Sequence, residues 1–98
     1  MKLLKPAAAG TLESSDCFVS IEPSENGIEI DLKSDVIRQF GDRITKVIRE
    51  TLDSMGIDSC TISVTDKGAL DCTIRARVES AAYRSAEIKE DIPWQTLQ

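Results

Sequence analysis

The sequence contains no histidine, and aromatic residues are scarce: two Phe, one Tyr and one Trp among 98 residues. Without histidine there is no Ser-His-Asp or Cys-His pair, no histidine metal ligand, and no side chain whose ordinary pKa lies near neutrality. A self-contained acid/base enzyme is therefore a poor expectation. Long apolar runs are missing too. A bilayer-spanning helix needs about 20 such residues, and the start, Met1-Lys-Leu-Leu-Lys-Pro-Ala-Ala-Ala-Gly10, is broken by Lys5 and Pro6. The same break leaves it short of the ~7–15 apolar residues of a secretory leader. Cys17, Cys60 and Cys72 are odd in number and lack CxxC spacing, which disfavours a disulfide framework or a zinc site. They read as small buried hydrophobes in a reducing compartment, with the cytoplasm as the expected location. The glycines are isolated, so no phosphate-cradling loop leads into a helix.

Basic side chains are outnumbered by acidic ones, 12 to 17, for a net charge of −5. Nucleic-acid binding relies on clustered Lys and Arg. Here they interleave with acids, as in Arg43–Lys46–Arg49–Glu50 and Arg75–Arg77–Glu79, which is the pattern of a solvated face. Neither nucleic acid nor a membrane is an expected partner, and no catalytic or metal-ligating side chain is assigned. Compact domains commonly run ~100–150 residues, so residues 1–98 are read as one domain, with 1–6 and 87–98 as flexible tails.

Periodicity supplies the elements. Residues 17–22 and 28–33 read as strands, the second with Ile28, Ile30 and Leu32 on one face and Glu29, Asp31 and Lys33 on the other. The turn-forming Pro23-Ser-Glu-Asn-Gly27 between them predicts an antiparallel hairpin. Residues 7–12 are a further candidate strand, joined to residue 16 by Glu13-Ser14-Ser15. A helix over 35–55 follows from the stripe Val36, Ile37, Phe40, Ile44, Val47, Ile48, Leu52 and Met55, with Ser34 as N-cap and Gly56 as its left-handed end. Residues 59–65 alternate as a strand, which makes a parallel β-α-β crossover with 28–33 if both share a sheet. Residues 69–86 fit either period; the pairs Asp71–Arg75 and Arg75–Glu79 at i, i+4 favour helix. Trp94, in an aperiodic tail, is expected against the body or a partner. The fold class is thus α+β: a small single-layer sheet of three or four strands, from N-terminal hairpins plus a β-α-β crossover, packed on two helices.

Seventeen acids on a small surface make chance carboxylate pairs common, and Arg75 with Arg77 reads as salt bridging, since i, i+2 residues point apart on a helix. Ser14 and Ser15 lie in a small polar turn, Gly10-Thr-Leu-Glu-Ser14-Ser15-Asp16. Serine is ordinary in turns, yet a hydroxyl at a turn tip is also accessible to a modifying enzyme.

The stretch Ala-Gly-Thr-Leu-Glu-Ser-Ser-Asp at 9–16 resembles the N-terminus of the acyl carrier (gamma) subunit family of citrate lyase. Phe40-Gly-Asp, the long stretch Asp66-Lys-Gly-Ala-Leu-Asp-Cys-Thr-Ile-Arg-Ala-Arg77 and Pro93-Trp94 resemble the same family, so the likeness covers nearly the whole chain. The four-helix acyl carriers, with an Asp-Ser-Leu motif at a helix start, match poorly. The resemblance implies that a serine carries 2'-(5''-phosphoribosyl)-3'-dephospho-CoA (phosphoribosyl-dephospho-coenzyme A) through a phosphodiester bond. Matched by register with Gly10, Leu12 and Glu13, that serine is Ser14; Ser15 stands where the family often has glycine. It further implies that the prosthetic thiol bears the acetyl and citryl groups, and that an alpha subunit (acyl transferase) exchanges them. A beta subunit (citryl lyase) then releases oxaloacetate, any divalent metal belonging there. A prosthetic-group transferase would load the chain. The stretch Asp66–Arg77 is expected to serve docking or to frame the Ser14 site. Two other readings stand beside this one: a carrier of a malonate decarboxylase-like complex, against which Ala-Leu-Asp-Cys at 69–72 speaks, and an unmodified small α+β interaction module.

Overall fold

Alternation of apolar and polar residues sets the two faces of the sheet. In the computed structural model, which describes residues 1–88, the order is β1 (Ala7–Gly10), β2 (Cys17–Pro23), β3 (Ile28–Ser34), α1 (Ile37–Ser54), β4 (Cys60–Asp66) and α2 (Asp71–Ser85). Cys17, Val19 and Ile21 of β2 and Cys60, Ile62 and Val64 of β4 are fully buried. Ile48 and Leu52 of α1, and Ile74, Val78, Ala81 and Ala82 of α2, close the same core. The α+β expectation of one sheet packed on two helices holds, with four strands. Pro93-Trp94 and the rest of the expected tail beyond residue 88 lie outside the described residues.

Strand order corrects one pairing. The sheet runs β1-β2-β4-β3, with β2 antiparallel to both β1 and β4, and β3 parallel to β4. The β1–β2 hairpin and the parallel crossover are as expected. The β2–β3 hairpin is not: β4 lies between the two strands. Strands sit about 4.8 Å apart, so stepping over one requires roughly 10 Å, which a few residues span. Residues 24–27 make that step across the start of β4, tied there by Ser59. Its hydroxyl donates to the Ser24 carbonyl (2.5 Å) and accepts from the Gly27 N–H (3.3 Å). The outer faces explain the preference. β4 presents Thr61, Ser63 and Thr65, which suit a central strand, whereas β3 presents Glu29, Asp31 and Lys33, charges that suit and protect an edge.

The helices begin and end for identifiable reasons. Ser34 is not the N-cap of α1, which starts two residues later than that reading requires, at Ile37 after Val36. Its hydroxyl donates to the buried carboxylate of Asp66 (2.8 Å) while accepting the Val36 N–H (3.1 Å), so β3, β4 and the helix entry share one oxygen. Ile37 and Phe40 are exposed; the buried stripe of α1 begins at Ile44. At its other end Gly56 takes φ +70°, with the Ile57 N–H bonded to the Leu52 carbonyl (3.0 Å) and the Gly56 N–H to that of Asp53 (3.0 Å). That is a Schellman motif, as the glycine predicts. In α2, Asp71 pairs with Arg43 of α1 (2.9 Å) rather than with Arg75. Residues 1–6 run beside α2: Leu3 is buried, and the Leu4 N–H donates to the Ser85 carbonyl (2.9 Å).

Candidate functional site

The β1–β2 connection, residues 11–16, is built around two special backbone positions and one carboxylate. Gly10 leaves β1 at φ +100°, and a Cβ there would stand 1.9 Å from the Cys17 carbonyl oxygen. Only glycine lets the strands close so tightly, with the Thr11 N–H on that same oxygen (3.2 Å). At the far side the Asp16 N–H donates to the Glu13 carbonyl (3.2 Å), closing a four-residue turn with Ser14 and Ser15 in its central places. Ser15 has φ +66°. A type II turn takes glycine at that place, because only a residue without Cβ adopts positive φ freely. The departure from glycine noted at Ser15 is therefore a strained residue.

The Asp16 carboxylate fixes the loop. Thr11 Oγ1 donates to Oδ2 (2.7 Å) and the Cys17 N–H to Oδ1 (2.7 Å). Arg77, from the second turn of α2, grips both oxygens, Nε to Oδ1 at 3.0 Å and Nη2 to Oδ2 at 2.7 Å. The bidentate pair is the strong form of such a contact. Hydrogen bonds from Arg77 and Thr11 hold the Asp16 carboxyl far below the usual carboxylate range, and the bond to Asp16 raises the Arg77 guanidinium. A second clamp is made of backbone alone: the Ser15 N–H donates to the Lys67 carbonyl (2.8 Å), and the Lys67 N–H to that of Asp16 (2.9 Å). Buried Asp66 steadies that neighbour by accepting the Gly68 (3.2 Å) and Ala69 (2.9 Å) N–H groups.

Ser14 and Ser15 are both exposed, and none of the bonds that fix the loop uses either hydroxyl. The turn therefore presents a hydroxyl on a rigid mount, and the charged groups beneath it neutralise one another. The other nucleophiles are placed differently. Burial, followed by the Asp16 and Asp66 carboxylates, pushes the Cys17 thiol up to about 12, and burial raises Cys60. Cys72 departs from the reading of three buried thiols: it is exposed, in the first turn of α2.

Of the residues singled out in 66–77, Lys67 frames the turn through its backbone, while its ammonium lies 3.7 Å from Asp35. Arg75 is not in the network and lines a separate hollow with Glu50, Glu79 and Tyr83. Arg77 salt-bridges, as expected, but to a partner 61 positions away that spacing along one helix does not reveal. The available signal is that Asp16 and Arg77 each close one of the two longest of the four stretches carrying the resemblance. A groove of about 510 Å³, lined by Val36, Phe40, Asp66, Gly68, Leu70 and Cys72 among others, opens between α1 and the start of α2, and neither serine lines it.

The malonate decarboxylase delta subunit (MdcD) family matches residues 4–85. The citrate lyase acyl carrier protein of Clostridium perfringens is 56% identical over 91 residues, covering 92% of this chain and 90% of that one. Citrate lyase acyl carrier protein 2 of Salmonella typhimurium is 52% identical over 98 residues, 99% and 100% of the two chains. In fold, the chain is similar to one in a Pseudomonas malonate decarboxylase hetero-tetramer in complex with malonate. That likeness has a TM-score of 0.67 at 23% identity, over 86% of this chain and 91% of that one. With such identity to named carriers over nearly its full length, and with its serine turn mounted on the sheet end, the chain belongs to the citrate lyase acyl carrier protein family.

Proposed function

We propose that Ser14 is the attachment point of 2'-(5''-phosphoribosyl)-3'-dephospho-CoA, and that the chain is a non-catalytic carrier working in the cytoplasm between the alpha and beta subunits of citrate lyase. The observation that carries this is the exposed Ser14 hydroxyl at the outer corner of the 13–16 turn, engaged by none of the bonds that fix that turn. The residues fit the group. Attachment through a phosphodiester needs an accessible hydroxyl and no buried neighbour to displace, and the nearby Asp16 carboxylate is already neutralised by Arg77. When bound, the group supplies the thiol that holds acyl units as thioesters, so chemistry resides in the group and the partner subunits. The chain's own residues hold the turn, keep Cys17 and Cys60 out of reach, and tether the cargo. A short tether makes each encounter with a partner site effectively intramolecular, at a local concentration of order mM. Relatives at 45–56% identity are named for citrate lyase, which favours it over a malonate decarboxylase-like role.

Intact-mass measurement of the chain from its native host tests the reading. The expected result is one discrete adduct, mapping to the peptide that contains Ser14 and lost in Ser14→Ala but kept in Ser15→Ala. A bare mass from cells actively cleaving citrate overturns it.

A further inference from the structure

We propose that Arg77, acting through Asp16, is a positioning residue for the loading of Ser14: it holds the 13–16 turn in the one arrangement that the loading enzyme binds. This rests on Ser14 being the attachment point. The geometry supports a positioning role on three counts. First, among the described residues Arg77 is the only side chain from outside the β1–β2 connection that grips Asp16, and it does so on both oxygens. Second, the same residue that Arg77 grips closes the turn, its N–H on Glu13 and its carbonyl on the Lys67 N–H. Third, α2 supplies Arg77 from a rigid element: Ile74, Val78 and Ala81 of that helix are fully buried, while Arg77 itself is over a third exposed at the loop. Without the guanidinium, the Asp16 carboxylate keeps the Thr11 and Cys17 donors but loses its counter-charge. It then gains by turning toward water, which pulls on the bonds that set Ser14 and Ser15. Glycine-free Ser15, held at positive φ only by its surroundings, favours that release.

A turn that is correctly held only part of the time binds its enzyme with an affinity reduced by that fraction. Once bound, the enzyme completes the arrangement. The expected signature is therefore a change in KM for the carrier with kcat preserved. A merely structural lesion instead lowers the amount of competent protein.

The experiment follows mass gain of the full chain with the host's prosthetic-group transferase and the activated form of the group. Arg77→Gln is expected to raise KM for the carrier about tenfold, with kcat and the final extent of one group per chain unchanged. Arg77→Lys, which keeps the charge but not the fork, falls between. Arg38→Gln, an exposed arginine on α1, leaves KM as it was. In the same Arg77→Gln protein, amide exchange at Ser15 and Lys67 accelerates while exchange in β4 does not. A wild-type KM in Arg77→Gln, or a reduced final extent at unchanged KM, overturns the proposal while leaving attachment at Ser14 intact. A wild-type chain that gains no mass overturns both together. Should Arg77→Gln fail to fold, Asp16→Asn reads the same KM, and an unchanged value there is equally decisive.

Discussion

Ser15 sits where a type II turn calls for glycine, and its φ of +66° has a cost. A left-handed L-residue gives up about 1–2 kcal/mol, partly offset because glycine has more freedom to lose on folding, ~0.5–1 kcal/mol. Ser15→Gly is therefore expected to stabilise the protein by roughly 0.5–1 kcal/mol in urea unfolding, with attachment still at Ser14. The Asp16 carboxylate gives the fold a pH-dependent contribution. Its carboxyl is held far below the usual range when folded, so its stabilisation is present above the unfolded value of about 3.9 and is lost as pH falls toward the folded one. The stability gap between wild type and Asp16→Asn should stay constant above about pH 5 and narrow steadily below about pH 4. A gap that closes between pH 6 and 8 would contradict the assignment.

At the scale of elements, position in the sheet decides what a side chain is worth. Ile62 lies in a strand flanked on both sides and is fully buried, whereas Ile30, its registered neighbour in β3, is only half-buried at an edge. Ile62→Ala should cost about 2–5 kcal/mol and Ile30→Ala distinctly less, read by chemical denaturation. Equal losses would argue that β4 is not central. The C-terminal end of α1 gives a smaller effect. Gly56→Ala forces a Cβ into φ +70° and should cost about 1–2 kcal/mol, with little change in helix content by circular dichroism.

At the scale of the molecule, the sheet and both helices seal two of three thiols inside. Cys17 and Cys60 are fully buried, and Cys72 stands exposed at the start of α2. The unloaded native protein should therefore give one fast-reacting thiol with a thiol-specific reagent, and three after unfolding. Cys72→Ser should abolish the fast reaction. No helix among the described residues is long and apolar enough to cross a membrane.

Periods of two and near four along the chain, with Gly56 as a stop, were enough to place β2, β3, β4 and both helices to within a few residues. These signals are local, since burial of one face imprints itself on neighbouring positions. The absence of histidine and the stretch at 9–16 were legible in the same way. Strand order was not: the 23–27 segment suits a hairpin and a step over one strand alike, and only the competition of β2 and β3 for the flanks of β4 decides between them. Ser34 as a cap, Cys72 as a buried thiol and Asp71 as a partner of Arg75 were misread for one reason. Each takes its environment from residues about 30 or more positions away or from a surface that no local pattern marks. The Asp16–Arg77 pair shows that limit most clearly. Local residue pattern alone marks which hydroxyls stand in a turn; what holds that turn is set only in the folded chain, because an ion pair is chosen by distance in space, and folding brings together charges 61 residues apart.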